Sequence, residues 1–186
     1  MFSRSERRSR PPIQLRSIRW WFNGLWRVAA AVLLVAVPLM WFTANYRVGI
    51  DVIEGESCLP YTLYLVDLND QDVTLGDYVA FEARQMEPFY ADGTTAVKII
   101  AAVPGDQVTV DESGVAVNGK IWGAMAHVGP DGRLSEIGKT LNDYRRNEIV
   151  PEGRFLMLAT HERSYDSRYW GTIAEEQVIG RVIPLF

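Results

Sequence analysis

Residues 28 to 44, VAAAVLLVAVPLMWFTA, carry no charge, and extending the run back to Leu25 admits only Arg27. Leu25 to Ala44 is 20 residues, the length a helix needs to cross about 30 Å of hydrocarbon. Arg27 can snorkel to an interface, and Pro38 is tolerated inside such a helix. Trp20, Trp21 and Trp26 on one flank, with Trp41 and Tyr46 on the other, read as aromatic belts at two membrane surfaces. A cleaved signal peptide is the alternative, but its basic region would be unusually long and FTANY is a poor cleavage site. We therefore expect a retained anchor over 25–44, preceded by a tail of residues 1–24 and followed by a single domain over 45–186.

Charge divides the chain at the same place. Up to Arg27 there are seven arginines and one acid, Glu6, whereas residues 28 to 186 hold 12 Lys+Arg against 22 Asp+Glu. The positive-inside rule then leaves the tail in the cytoplasm and sends residues 45–186 outward from the inner (cytoplasmic) membrane, to the periplasm. An acidic exported domain argues against a nucleic-acid partner, because affinity for duplexes comes largely from cations on phosphate. Cys58 is the one cysteine, so no intramolecular disulfide can form. There is no CxxC or HExxH, and His127 with His161 makes a poor metal site. Neither a metal nor a cofactor is expected.

Beyond Tyr46 the pattern is one of short alternating segments broken by turn residues, which predicts a mostly β domain. Strands are expected at Thr62–Val66, Tyr78–Arg84, Thr95–Val103, Gln107–Val110, Val115–Val117, Arg154–Ala159 and Gln177–Ile183. Pro104-Gly105 and Asp111 to Gly114 have the chemistry to reverse the chain. Residues 122 to 150 read as an irregular excursion with one short helix around Thr140 to Arg146.

Three segments carry candidate chemistry. In VIEGESCLP a glycine turn precedes Ser57, a sensible presentation for a nucleophile that needs a base and oxyanion donors. By itself the signal is weak, since an exposed turn serine is far commoner than a catalytic one. In AVKIIAAVPGD, alternation places Lys98 on the face opposite Val97 and Ile99. Lys98 is either an exposed lysine on a half-buried strand or a desolvated base. The second role needs a lysine pKa brought from about 10.4 toward 7 to 8, a difference on the order of 4 kcal/mol. In SYDSRYWG, Asp166 and Arg168 are two apart, so on an extended segment they share a side and can pair.

Together these segments resemble the type I signal peptidases of the S26 family, Ser/Lys proteases that cut leader peptides at the outer surface of the membrane that anchors them. The matching features are Ser57 followed by Pro60, Lys98 followed by Pro104-Gly105-Asp106, DSRYWG, and VPEGRFLML before it. The resemblance implies a largely antiparallel, barrel-like β domain behind the anchor, with an apolar membrane-facing surface. It implies Ser57 as nucleophile and Lys98 as general base. Gly55 and Ser164 would support the oxyanion or position the lysine, and Asp166 and Arg168 would form a structural ion pair. Cys58 stands where the family usually has methionine, Tyr61 where it has threonine, and Leu158-Ala159-Thr160 where it has glycine-aspartate-asparagine. SCLPYTLYLVD and GRVIPL look more like the TraF-type branch, which matures conjugative pilins and in some members cyclises them. Pilin precursor, lipid bilayer and conjugative machinery are the partners so implied. Two rival readings are a Cys58/His161 enzyme, which leaves Lys98 unexplained, and a non-catalytic factor in pilus or secretion assembly.

Overall fold

The computed structural model describes residues 16–50, 60–129, 132–161 and 163–185. The chain divides into two compact units, residues 1–44 and 45–186. In the first, helix α1 runs Arg16–Asn45 with Pro38 inside it, and its Gly24–Asn45 stretch is long and apolar enough to cross a membrane. The residues from Leu25 to Trp41 are almost all solvent-exposed, as expected of a helix whose solvent is lipid.

The second unit is built of antiparallel strands. They are β1 (Tyr46–Ile50), β2 (Leu63–Asp67), β3 (Tyr78–Glu82), β4 (Thr95–Ala102), β5 (Gln107–Asp111), β6 (Gly114–Val117), β7 (Lys120–Gly123), β8 (Arg146–Ile149), β9 (Arg154–Leu158), β10 (Ile173–Ala174) and β11 (Val178–Pro184). They form a seven-stranded sheet, β1-β2-β11-β3-β4-β9-β10, and a four-stranded one, β7-β6-β5-β8. The mostly β, antiparallel fold is the one the sequence predicts.

The turn chemistry also works as read. Gly114 sits at φ +111° opposite Asp111 at the β5–β6 reversal, and Gly105 sits at φ +93° between β4 and β5. Both angles are in the region that favours glycine. Each expected strand is present with ends within about two residues, the usual precision of such boundaries. Strands β1, β7, β8 and β10 are additional.

The described residues between 122 and 150 are largely irregular, as expected, and differ in one place. Instead of a helix around Thr140 to Arg146 there is one 3-10 turn, Leu141–Asp143, followed by strand β8. The Asp143 carboxylate accepts from both the N–H and the hydroxyl of Thr140, closing the turn. From Arg146 the backbone then pairs with β5, Asn147 opposite Thr109 and Ile149 opposite Gln107. Cross-strand pairing supplies partners that an isolated short helix would have to find locally.

Strand β4 is buried on both faces from Ala96 to Ala102. Ala96 and Ile100 belong to a large cluster with Phe81, Met157, Tyr165 and Tyr169, while Val97 packs with Val66, Ala80 and Val182. A third cluster joins Ala101, Ala102 and Leu156 to Val108, Val110 and Val115, so the two sheets share a core. The doubly covered β4 is what positions the site.

Candidate active site

Lys98 lies mid-strand on β4, opposite Val79 of β3. By alternation it shares the face of Ala96 and Ile100, and it is 1% exposed. The surface-lysine alternative is thereby removed. Its Nζ stands 5.9 Å from the centroid of the Tyr90 ring.

The third segment is brought alongside by sheet pairing. β9 lies against β4, Ile99 opposite Leu158 and Ile100 opposite Met157. The chain leaves β9 through residues 159 to 166 and enters the short helix α2 (Ser167–Trp170). Ser164, 2% exposed, donates its N–H to the carbonyl of His161 at 3.1 Å.

Asp166 and Arg168 meet, but not as two residues of one extended segment. Asp166 is the extended N-cap of α2 and Arg168 is in its first turn. One Asp166 carboxylate oxygen accepts the Arg168 N–H at 3.1 Å, and the other accepts the Ala159 N–H at 3.0 Å. The guanidinium Nη1 is 3.6 Å from that second oxygen, with the side chains 0% and 1% exposed. Arg168 also donates to the carbonyls of Ala159 at 3.2 Å and His161 at 3.3 Å. Burial raises the Asp166 pKa, while the charges of Arg168 and then Lys98 pull it down. Lys98 and Asp166 therefore feel each other electrostatically, linking the second and third segments.

Two further residues hold this loop; the sequence raised His127 only as a poor metal ligand and did not raise Arg146. Arg146 of β8 donates to the carbonyls of Arg168 at 3.1 Å and Tyr144 at 3.2 Å, and also to Ser167. His127 donates from Nε2 to the carbonyl of Arg163 at 2.7 Å. Both come from the excursion, more than 20 residues from the motif they touch, so no local spacing signals them. Tyr165 and Tyr169, stacked with centroids 5.4 Å apart, have their pKa values pushed to about 12 by burial. Ser57, Cys58 and Gly55 lie outside the described residues.

The profile of the signal peptidase, peptidase S26 family matches residues 21–186. The chain belongs to that family. With the family it joins the serine endopeptidases, and its N-terminal helix gives this signal peptidase a means of membrane anchoring. Among relatives, the match to "Probable signal peptidase I-2" of Synechocystis is 33% identical over 48% of this chain, and this chain spans just over a third (37%) of that relative's length. "Conjugal transfer protein TraF" of Agrobacterium tumefaciens is 25% identical over 87% of this chain and 94% of its own. "Signal peptidase I" of Bacillus caldolyticus is 28% identical over 90% and 88%. A signal peptidase I structure from Enterococcus faecalis V583 aligns with TM-score 0.36 and 20% identity, covering 59% of this chain and 95% of that one.

Proposed function

We propose that this signal peptidase cleaves exported precursors with a Ser57/Lys98 dyad, and that its substrate is a conjugative pilin precursor. The observation that carries the dyad is the burial of Lys98 in the centre of β4, beside the loop that holds Ser164. Burial disfavours an ammonium relative to the neutral amine that a base must be.

In this mechanism neutral Lys98 takes the proton of Ser57 as its oxygen attacks the scissile carbonyl. In this reading the Ser57 N–H donates to the developing oxyanion, a contribution of about 3 kcal/mol, with Gly55 in a supporting role. Collapse expels the new amine, which receives the proton from Lys98, and leaves an acyl-enzyme. Water, activated by the again neutral lysine, releases the product; attack by the pilin's own amine would release a ring instead. Ser164 orients Lys98, and the Asp166–Arg168 pair holds the loop that carries Ser164.

Pilin as substrate is supported by the full-length likeness to a conjugal transfer protein and by Cys58 and Tyr61 in the first segment. A general type I signal peptidase is the second reading, favoured by the likeness to the Bacillus caldolyticus protein. We place residues 1–24 in the cytoplasm and 45–186 in the periplasm, from the arginines of the tail. A periplasm-specific label should therefore reach cysteines introduced in 45–186; a cytoplasmic signal there would overturn the orientation.

The deciding experiment incubates the detergent-solubilised full chain with a pilin precursor and, separately, with a standard leader-bearing precursor, and reads masses. Defined cleavage that disappears in Ser57→Ala and in folded Lys98→Arg is expected, with pilin preferred. Binding without cleavage would instead indicate an assembly factor. A product lighter by one water than the hydrolysed form would identify cyclisation.

A further inference from the structure

We infer that His127 is a positioning residue for Ser164, acting through the peptide group that joins Arg163 to Ser164. This rests on the Ser57/Lys98 reading, in which Ser164 orients the base. The argument begins with one peptide plane. Its carbonyl, that of Arg163, is 2.7 Å from His127 Nε2; its N–H, that of Ser164, donates to the carbonyl of His161 at 3.1 Å. A peptide unit is rigid about its C–N bond. Hydrogen-bonded at both ends, the plane is held in orientation, and with it the direction of the Ser164 N–Cα bond.

The chemistry of the contact fixes the histidine's form. A carbonyl oxygen only accepts, so Nε2 carries the proton. His127 is itself immobilised by its backbone. Its N–H donates to the Tyr169 hydroxyl at 2.9 Å, and its C=O accepts from the Leu134 N–H at 3.0 Å. His127 is 7% exposed, and its ring lies 5.3 Å from both Phe89 and Tyr169, centroid to centroid. Tyr165, next to Ser164, bridges toward the lysine, with its ring 6.2 Å from His127 and 6.1 Å from Tyr90. Tyr90 is the ring that faces Lys98 Nζ. Thus the excursion of residues 122 to 150, which supplies none of the three segments, contributes one donor that sets the loop against the base.

A positioning role predicts a loss in turnover rather than in binding. His127→Phe retains the aromatic packing and deletes the donor. His127→Gln restores an N–H donor the same number of bonds from Cβ. The assay is steady-state cleavage of a precursor peptide by the full chain in detergent, with melting temperature measured alongside. His127→Phe should lower kcat by about 10- to 100-fold with KM unchanged, the scale on which small misplacements act, and His127→Gln should recover most of it. If His127→Phe does not fold, His127→Leu takes its place in the same comparison.

The inference is overturned if the donor-free variant keeps kcat within about twofold of the parent. It is also overturned if the glutamine variant is as impaired as the donor-free one, or if only KM changes. Lys98→Arg run in parallel separates the two levels. Substantial cleavage by folded Lys98→Arg removes the dyad reading whatever His127 does, whereas inactive Lys98→Arg beside unimpaired His127→Phe removes only the positioning role.

Discussion

Replacing Asp166 by asparagine and Arg168 by methionine, one at a time, should cost unequal amounts of stability with different pH dependence. Both groups are effectively out of water, so deleting one partner leaves the other uncompensated, typically at about 3–5 kcal/mol. Asp166→Asn should incur the full amount. Its two carboxylate oxygens accept two different backbone N–H groups, of which an amide can satisfy one, and the guanidinium left behind cannot shed its charge. Arg168→Met leaves a group that can neutralise itself by taking a proton. Burial already raises the Asp166 pKa, and Arg168 is the first of the charges opposing that rise, so its removal lifts the pKa further. A carboxyl whose folded pKa exceeds its unfolded value of about 3.9 contributes most below that value and loses its contribution as pH rises through the folded pKa. The deficit of Arg168→Met should therefore be smallest near pH 4 and grow toward neutrality, by up to about 1.4 kcal/mol per pH unit between the parent and variant folded pKa values. Urea unfolding of the full chain in detergent, followed by tryptophan fluorescence across that range, measures it. A deficit for Arg168→Met that equals or exceeds that of Asp166→Asn at every pH, or that shrinks as pH rises, would refute the reasoning.

Cys58→Ala should retain most precursor cleavage and abolish any inhibition by thiol-alkylating reagents, whereas Ser57→Ala should be inactive; the reverse pattern would move the nucleophile to the thiol. Tyr165 and Tyr169 should ionise near pH 12, so their share of stability is full below about pH 10 and is lost between there and 12. Spectrophotometric titration of the folded protein should show two late tyrosinates near pH 12; their absence would show that burial does not shield these two hydroxyls. Gly180→Ala should destabilise by about 1–3 kcal/mol through backbone displacement, because a Cβ there would stand 1.9 Å from the Asp67 carbonyl oxygen; an unchanged urea midpoint would show that β2 and β11 yield at no cost.

The anchor and the three segments were legible because each is written in contiguous residues. Seventeen uncharged residues from 28 to 44 dictate a helix by length and solvation alone. Ser57 before Pro60, Lys98 before Pro104-Gly105-Asp106 and DSRYWG are local spacings. The strands were legible for the same reason, since alternation and turn residues act over a few positions. The helix expected near Thr140 failed because β8 takes its partner from β5, nearly 40 residues away in sequence.

What the sequence by itself determined is the periodicity of β4 and hence which residues share a face with Lys98. Whether that face meets water was decided only by tertiary structure. The alternation of a strand specifies direction, not covering, and both faces of β4 are covered, one of them by the cluster containing Tyr165, Tyr169 and Leu134. The same holds for His127 and Arg146. Each is unremarked in its own neighbourhood and acquires a role because the fold lays residues 122 to 149 against the loop before and into α2. A hydrogen bond between groups 36 residues apart has no local signature; it exists because the fold brings the His127 ring up to the part-buried Arg163 carbonyl.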